Sequence, residues 1–70
     1  MKLSPKIARQ YMGMTQVEMA RELGVSRDVY RRIEKNPETA TIEQGKKIAR
    51  VSGMDFAAIF LDDYLQKVES

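Results

Sequence analysis

The sequence predicts an all-α protein, a compact bundle of five helices. Three observations carry this. Five stretches open with a residue able to cap a helix N-terminus: Ser4, Thr15, Ser26, Thr41 and Asp55. Stop signals follow the first four stretches at Gly13, Gly24, Asn36-Pro37 and Gly53. The apolar residues between starts and stops recur at helical spacing, and no strand candidate is present.

Ser4-Pro5 opens the first helix. Ser4 caps it, and Pro5 occupies the first turn, where a missing N–H costs nothing. Ile7, Ala8 and Tyr11 give an apolar stripe before Gly13 ends the helix. Thr15 caps the second helix while Glu18 reaches back to it, a capping box, with Met14 and Met19 as a hydrophobic staple. Leu23 ends this helix, and Gly24 supplies the positive φ of a sharp stop. Val25 and Tyr30 repeat the staple around Ser26, the cap of the third helix. Asn36-Pro37 breaks that helix, because proline disfavours α conformation in the residue before it. A loop leads to Thr41-Ile42-Glu43-Gln44, a second capping box, and to a fourth helix with Ile42, Gly45, Ile48 and Ala49 on one face. Asp55 caps a fifth helix, stapled by Met54 and Ile59, whose Phe56, Ile59 and Phe60 close the core. Met14, Met19 and Met54 are expected to fill core gaps. Residues 1–61 form the domain, and residues 62–70 extend helix five or fray as a tail.

Only Gly24 and Val25 separate Leu23 from the cap at Ser26. So short a connection makes the second and third helices a rigid angled pair, a helix-turn-helix. At about 100° per residue, with Arg27 at zero, Arg31 falls near ~40°, Lys35 near ~80°, Asp28 near ~100° and Arg32 near ~140°. Val29, Ile33 and Tyr30 fall between roughly 200° and 300°, and Glu34 lies on the border near ~340°. One face is therefore charged and outward, and the other is anchored in a core.

Seventy residues make one small domain, which buries only about 60% of the surface its unfolded chain exposes. There is no cysteine and no histidine. Disulfides, the usual zinc sites and the common nucleophile–base pairs are thereby excluded, and no glycine-rich phosphate loop is present, so no enzyme and no cofactor is expected. Asp62 and Asp63 are adjacent and point in different directions on a helix. The longest apolar run, Phe56 to Leu61, is too short to span a bilayer. A soluble, cytoplasmic protein is expected. The net charge of +2 is unevenly placed: residues 1–50 carry eleven Lys/Arg and six Asp/Glu, whereas residues 51–70 carry one Lys and four acids. A basic body with an acidic end fits polyanion binding if the acidic end points away; chance scatter in a small domain gives the same pattern.

The run from Thr15 to Glu34 closely resembles the phage repressor and Cro-like helix-turn-helix family. Its pattern is Thr-Gln-x-x-Leu-Ala-x-x-Leu-Gly-Val-Ser followed by a variable helix ending in Ile-Glu. Thr15, Gln16, Ala20, Leu23, Gly24, Val25, Ser26, Ile33 and Glu34 match it, and Met19 takes a Leu place. The resemblance extends from about Ser4 to Phe60 and implies a lambda-repressor-like fold. Three positions depart from the pattern. Asn36 stands where a glycine is usual, as the next-best residue for a left-handed cap. Ala40 is near the place of a frequent proline. Ser52 replaces a usual Leu, so that either the site is less buried or the helix ends differently.

What the resemblance implies for function can be assigned residue by residue. Gln16 matches a phosphate contact at a helix N-terminus that favours an anion. Arg27, Asp28 and Arg32 match positions that reach base edges, where an arginine fork suits guanine O6 and N7. Arg31 touches phosphate or base. Asp28 either reads a base or braces Arg31 or Arg32. Lys35, Asn36, Thr39 and Thr41 lie in a region that touches the DNA backbone, and Arg9 with Glu34 resembles a structural ion pair. A solvated charged face with intrahelical ion pairs would have the same periodicity. The expectation is a sequence-specific regulator of transcription, a repressor or Cro-like switch of phage or prophage origin. It would bind a near-palindromic double-stranded operator as a homodimer. The alternative is an antirepressor that uses the fold to bind another phage repressor.

Overall fold

The computed structural model describes residues 2–69, all-helical apart from short connections. The helices are α1 (Pro5–Tyr11), α2 (Gln16–Leu23), α3 (Arg27–Lys35), α4 (Ile42–Ser52) and α5 (Phe56–Glu69), with a single 3₁₀ turn at Pro37–Thr39. Each start has a chemical cause. Ser4, Thr15, Ser26 and Thr41 each accept a hydrogen bond from the N–H three residues on, and Asp55 does the same for Ala58. Thr15–Glu18 and Thr41–Gln44 close complete capping boxes. Gly24 and Gly53 end their helices at φ 72° and 71°, where a Cβ would be strained.

The core gathers Ala8, Met19, Ala20, Tyr30, Ile33, Ala40, Ile48, Ala49, Ile59 and Phe60. Every helix contributes, so none is an independent unit. α2 packs on α3 as the short turn requires, and α1 lies against both α4 and α3. Met19 is fully buried, while Met14 and Met54 pack at the core margin.

Four sequence expectations need correction. Asn36 is not a left-handed cap: its φ is −134° and its ψ is 83°, because Pro37 forces an extended exit and the 3₁₀ turn absorbs the change of direction. Ser52 is buried, with its hydroxyl donating back to the carbonyls of Ile48 and Ala49 and accepting from the Met54 N–H. A polar residue is tolerated inside because its own last turn satisfies it. Tyr11 and Ile42 do not join the apolar faces assigned to them; they are 72% and 52% exposed, each at a helix end where no neighbouring helix covers it.

Candidate nucleic-acid interface

α3 presents its charges outward. Arg27, Asp28, Arg31, Arg32 and Lys35 are exposed, whereas Tyr30 and Ile33 are buried and Val29 is half-buried. The face therefore offers four cations and one carboxylate on a helix that cannot rotate, since turning it would expose the Tyr30 ring and Ile33. Asp28 forms no ion pair; among the described residues the ion pair shown is Arg9–Glu34. The Asp28 carboxylate and the three arginines are thus all free to meet a partner.

Behind this face lies a polar hub. The Glu34 carboxylate, on the last turn of α3, accepts from Arg9 Nε at 2.5 Å and Arg9 Nη2 at 3.3 Å. It also accepts from Gln16 Nε2 at 3.1 Å. Arg9 Nη1 donates to the carbonyl of Met14, one residue before the α2 cap, at 2.9 Å. The Arg9 and Glu34 side chains are only 13% and 6% exposed. Burial alone would raise the Glu34 pKa, but the polar groups of Arg9, Tyr30 and Gln16 outweigh it and hold the carboxyl below its usual range. The Arg9 guanidinium is correspondingly raised, chiefly by its bond to Glu34. The Tyr30 hydroxyl points into the same neighbourhood. It is buried without a hydrogen bond of good geometry, and burial, reinforced by Glu34, pushes its pKa far up. Tyr30 is a neutral phenol at any physiological pH.

Gln16 is the first residue of α2, whose first-turn N–H groups lack intrahelical carbonyls. Thr15 takes one of them, that of Glu18. Lys35 and Asn36 are exposed at the end of α3. The Thr39 hydroxyl donates to the Asn36 carbonyl at 2.7 Å, and the Thr41 hydroxyl accepts from the Gln44 N–H at 3.0 Å. These two threonines have structural work of their own, with solvent-facing lone pairs left over. The anchor of this loop carries no local signal in the sequence. Tyr64 Oη donates to the Ala40 carbonyl at 2.9 Å, across 24 positions. Nor does the Gln16–Glu34 bond, 18 positions apart, carry such a signal; no local pattern announces either.

A groove of about 650 Å³ between α2 and α4 is lined by Glu22, Glu43, Lys46 and Arg50 among others. Its charges are mixed and its lining mostly polar, so it offers no enclosed small-molecule site. No group of three or more acidic, histidine or cysteine side chains that could hold a metal exists among the described residues. No helix among them is long and apolar enough to cross a membrane.

Two capped helices joined by a left-handed glycine, the second locked into a core on one side and bearing free arginines on the other, define a helix-turn-helix domain. Comparison with known families agrees: the helix-turn-helix profile matches residues 6–59, from α1 into α5. The chain belongs to that family, of the Cro/C1 type, and is a DNA-binding helix-turn-helix regulator. Searches of curated proteins and of solved structures gave no match.

Proposed function

We propose that this protein is a sequence-specific repressor or Cro-like switch, of phage or prophage origin, working in the cytoplasm of a bacterial host. α3 enters the major groove. Arg27, Asp28, Arg31 and Arg32 meet base edges, and Gln16, Lys35, Asn36, Thr39 and Thr41 meet phosphates. A homodimer places two such helices about 34 Å apart on a near-palindromic site. The observation that carries this is the division of α3, with free cations on one face and Tyr30 and Ile33 locked in the core on the other. Asp28 adds support: a carboxylate without an ion pair among arginines is suited to accept from a cytosine or adenine amino group.

Titration of a labelled duplex from the DNA upstream of the coding sequence tests the proposal. Binding should weaken steeply with salt as Lys and Arg displace counterions. Arg32→Ala should cost about 1–3 kcal/mol and relax preference at one operator position, whereas Gln16→Ala should weaken all sequences alike. Absence of binding at low salt would overturn the proposal and leave the antirepressor, a protein-binding use of the same fold.

A further inference from the structure

The hub around Glu34 joins three segments that carry no local signal for one another: α1, the entry to α2, and the last turn of α3. We propose that Glu34 is a positioning residue for DNA binding, which holds the Gln16 amide ready for a phosphate while Arg9 cancels its charge. The proposal rests on Gln16 being a phosphate contact.

The chemistry of the contact fixes more than a distance. A carboxylate only accepts, so only the NH₂ end of Gln16 can face Glu34 Oε1. Nε2 carries two N–H groups; one is taken by Glu34 and the other is left over. The bond therefore selects both the rotamer and the orientation of the amide. A glutamine side chain loose in water loses much rotational freedom when a ligand fixes it. Here that loss is incurred on folding, before DNA arrives, which is preorganisation of the binding surface.

A bare carboxylate beside a phosphate would repel it. Arg9 removes this objection, because its Nε and Nη2 occupy both Glu34 oxygens. Its remaining Nη1 holds the Met14 carbonyl. The same guanidinium thus neutralises Glu34 and fixes the backbone just before the α2 cap. The α2 N-terminus and α3 are set in one frame, so a phosphate met by Gln16 and bases met by α3 are in register. Glu34, held below the usual carboxylate range, stays ionised and able to accept at neutral pH.

The test is a mutant cycle read by affinity for a labelled random-sequence duplex at low salt, since a phosphate contact is independent of sequence. Its members are Gln16→Ala, the paired replacement Arg9→Met with Glu34→Met, and all three together. Replacing both ion-pair partners by apolar groups avoids an orphaned buried charge. Gln16→Ala should weaken binding about tenfold, the size of one hydrogen bond to a charged group. The paired replacement should weaken it about threefold to tenfold, through the freed Gln16 side chain. Once Gln16 is alanine, the paired replacement should cost nothing further. Losses that multiply would show that the hub serves the fold alone and would overturn the proposal.

A second measurement needs no variant. In the wild-type protein the Gln16 side-chain amide should show one fixed rotamer by nuclear magnetic resonance, its shift following the acid titration of Glu34. An amide that averages freely and ignores that titration overturns the proposal even if the paired variant fails to fold. Failure of the wild-type protein to bind any duplex overturns the DNA-binding reading, and this inference with it. Binding with multiplying losses overturns this inference only.

Discussion

α1, the start of α2 and the end of α3 are joined by directed polar bonds on one carboxylate, whereas α5 meets α4 through stacked aromatic rings. Phe56, Phe60 and Tyr64 lie with centroids 5.4–6.0 Å apart and interplanar angles of 18–28°. Gly45 lets this stack sit tightly on α4, since a Cβ there would lie 2.6 Å from Phe56 Cε2 and 3.3 Å from Phe60 Cε2. The two regions solve different problems. Apolar contact is non-directional and supplies most of the stabilisation available to a small core. Hydrogen bonds and a buried ion pair add little net energy, but they require specified geometry. The polar region is the one beside the proposed DNA-contacting Gln16, where position matters more than adhesion. The aromatic region reaches the surface through one directed bond, from Tyr64 to the Ala40 carbonyl, at the loop that carries Thr39 and Thr41.

This contrast can be broken by substitution. Phe60→Ala removes a fully buried ring and should cost about 3–5 kcal/mol, enough to unfold much of so small a domain at room temperature. Loss of the cooperative thermal transition by circular dichroism is the expected result. Glu34→Ala alone should cost about 3 kcal/mol, because Arg9 is left as a largely buried cation without its partner. The paired Arg9→Met, Glu34→Met change should cost no more than about 1 kcal/mol in urea denaturation. A paired cost as large as the single one would mean that the hub, like the ring stack, is a source of net stability.

Gly45→Ala should cost about 1–3 kcal/mol, by forcing the Phe56 and Phe60 rings away from α4. Unchanged stability would mean that the stack is loose. Acid sharpens the polar side. The folded pKa of Glu34 is depressed below the ordinary carboxylate value of 4.5, so its contribution is fully present above about that pH. The contribution is lost as pH falls through the folded value, while Arg9 stays charged. Urea midpoints measured from neutral pH down to pH ~3 should therefore fall more for the wild type than for the paired variant. Tyr64→Phe is the smallest single substitution, about 0.5–1.5 kcal/mol, for one hydrogen bond. It should increase amide exchange at residues 39–41 more than in the hub.

How much of this was legible depended on the range of each interaction. The capping residues, both capping boxes and the glycine stops act within four positions, so they are written in the sequence and found in the structure. The sorting of α3 into outward charges and an inward Tyr30 and Ile33 follows from helical rotation alone. Ile42 and Tyr11 had the right spacing for burial and are exposed, because periodicity says which residues share a face but not whether a neighbour covers its end. Ser52 failed for the opposite reason: it is buried, and it is tolerated there through bonds to its own helix.

The chain by itself determined five helices, their starts, the angled α2–α3 pair and the outward set Arg27, Asp28, Arg31, Arg32 and Lys35. All of these arise from hydrogen bonds and rotations spanning a few residues. Only the tertiary structure decided that Gln16 joins Arg9 on Glu34, that Asp28 has no ion pair, and that Tyr64 moors Ala40. The bonds among these join segments 18 to 25 positions apart, which only packing brings together.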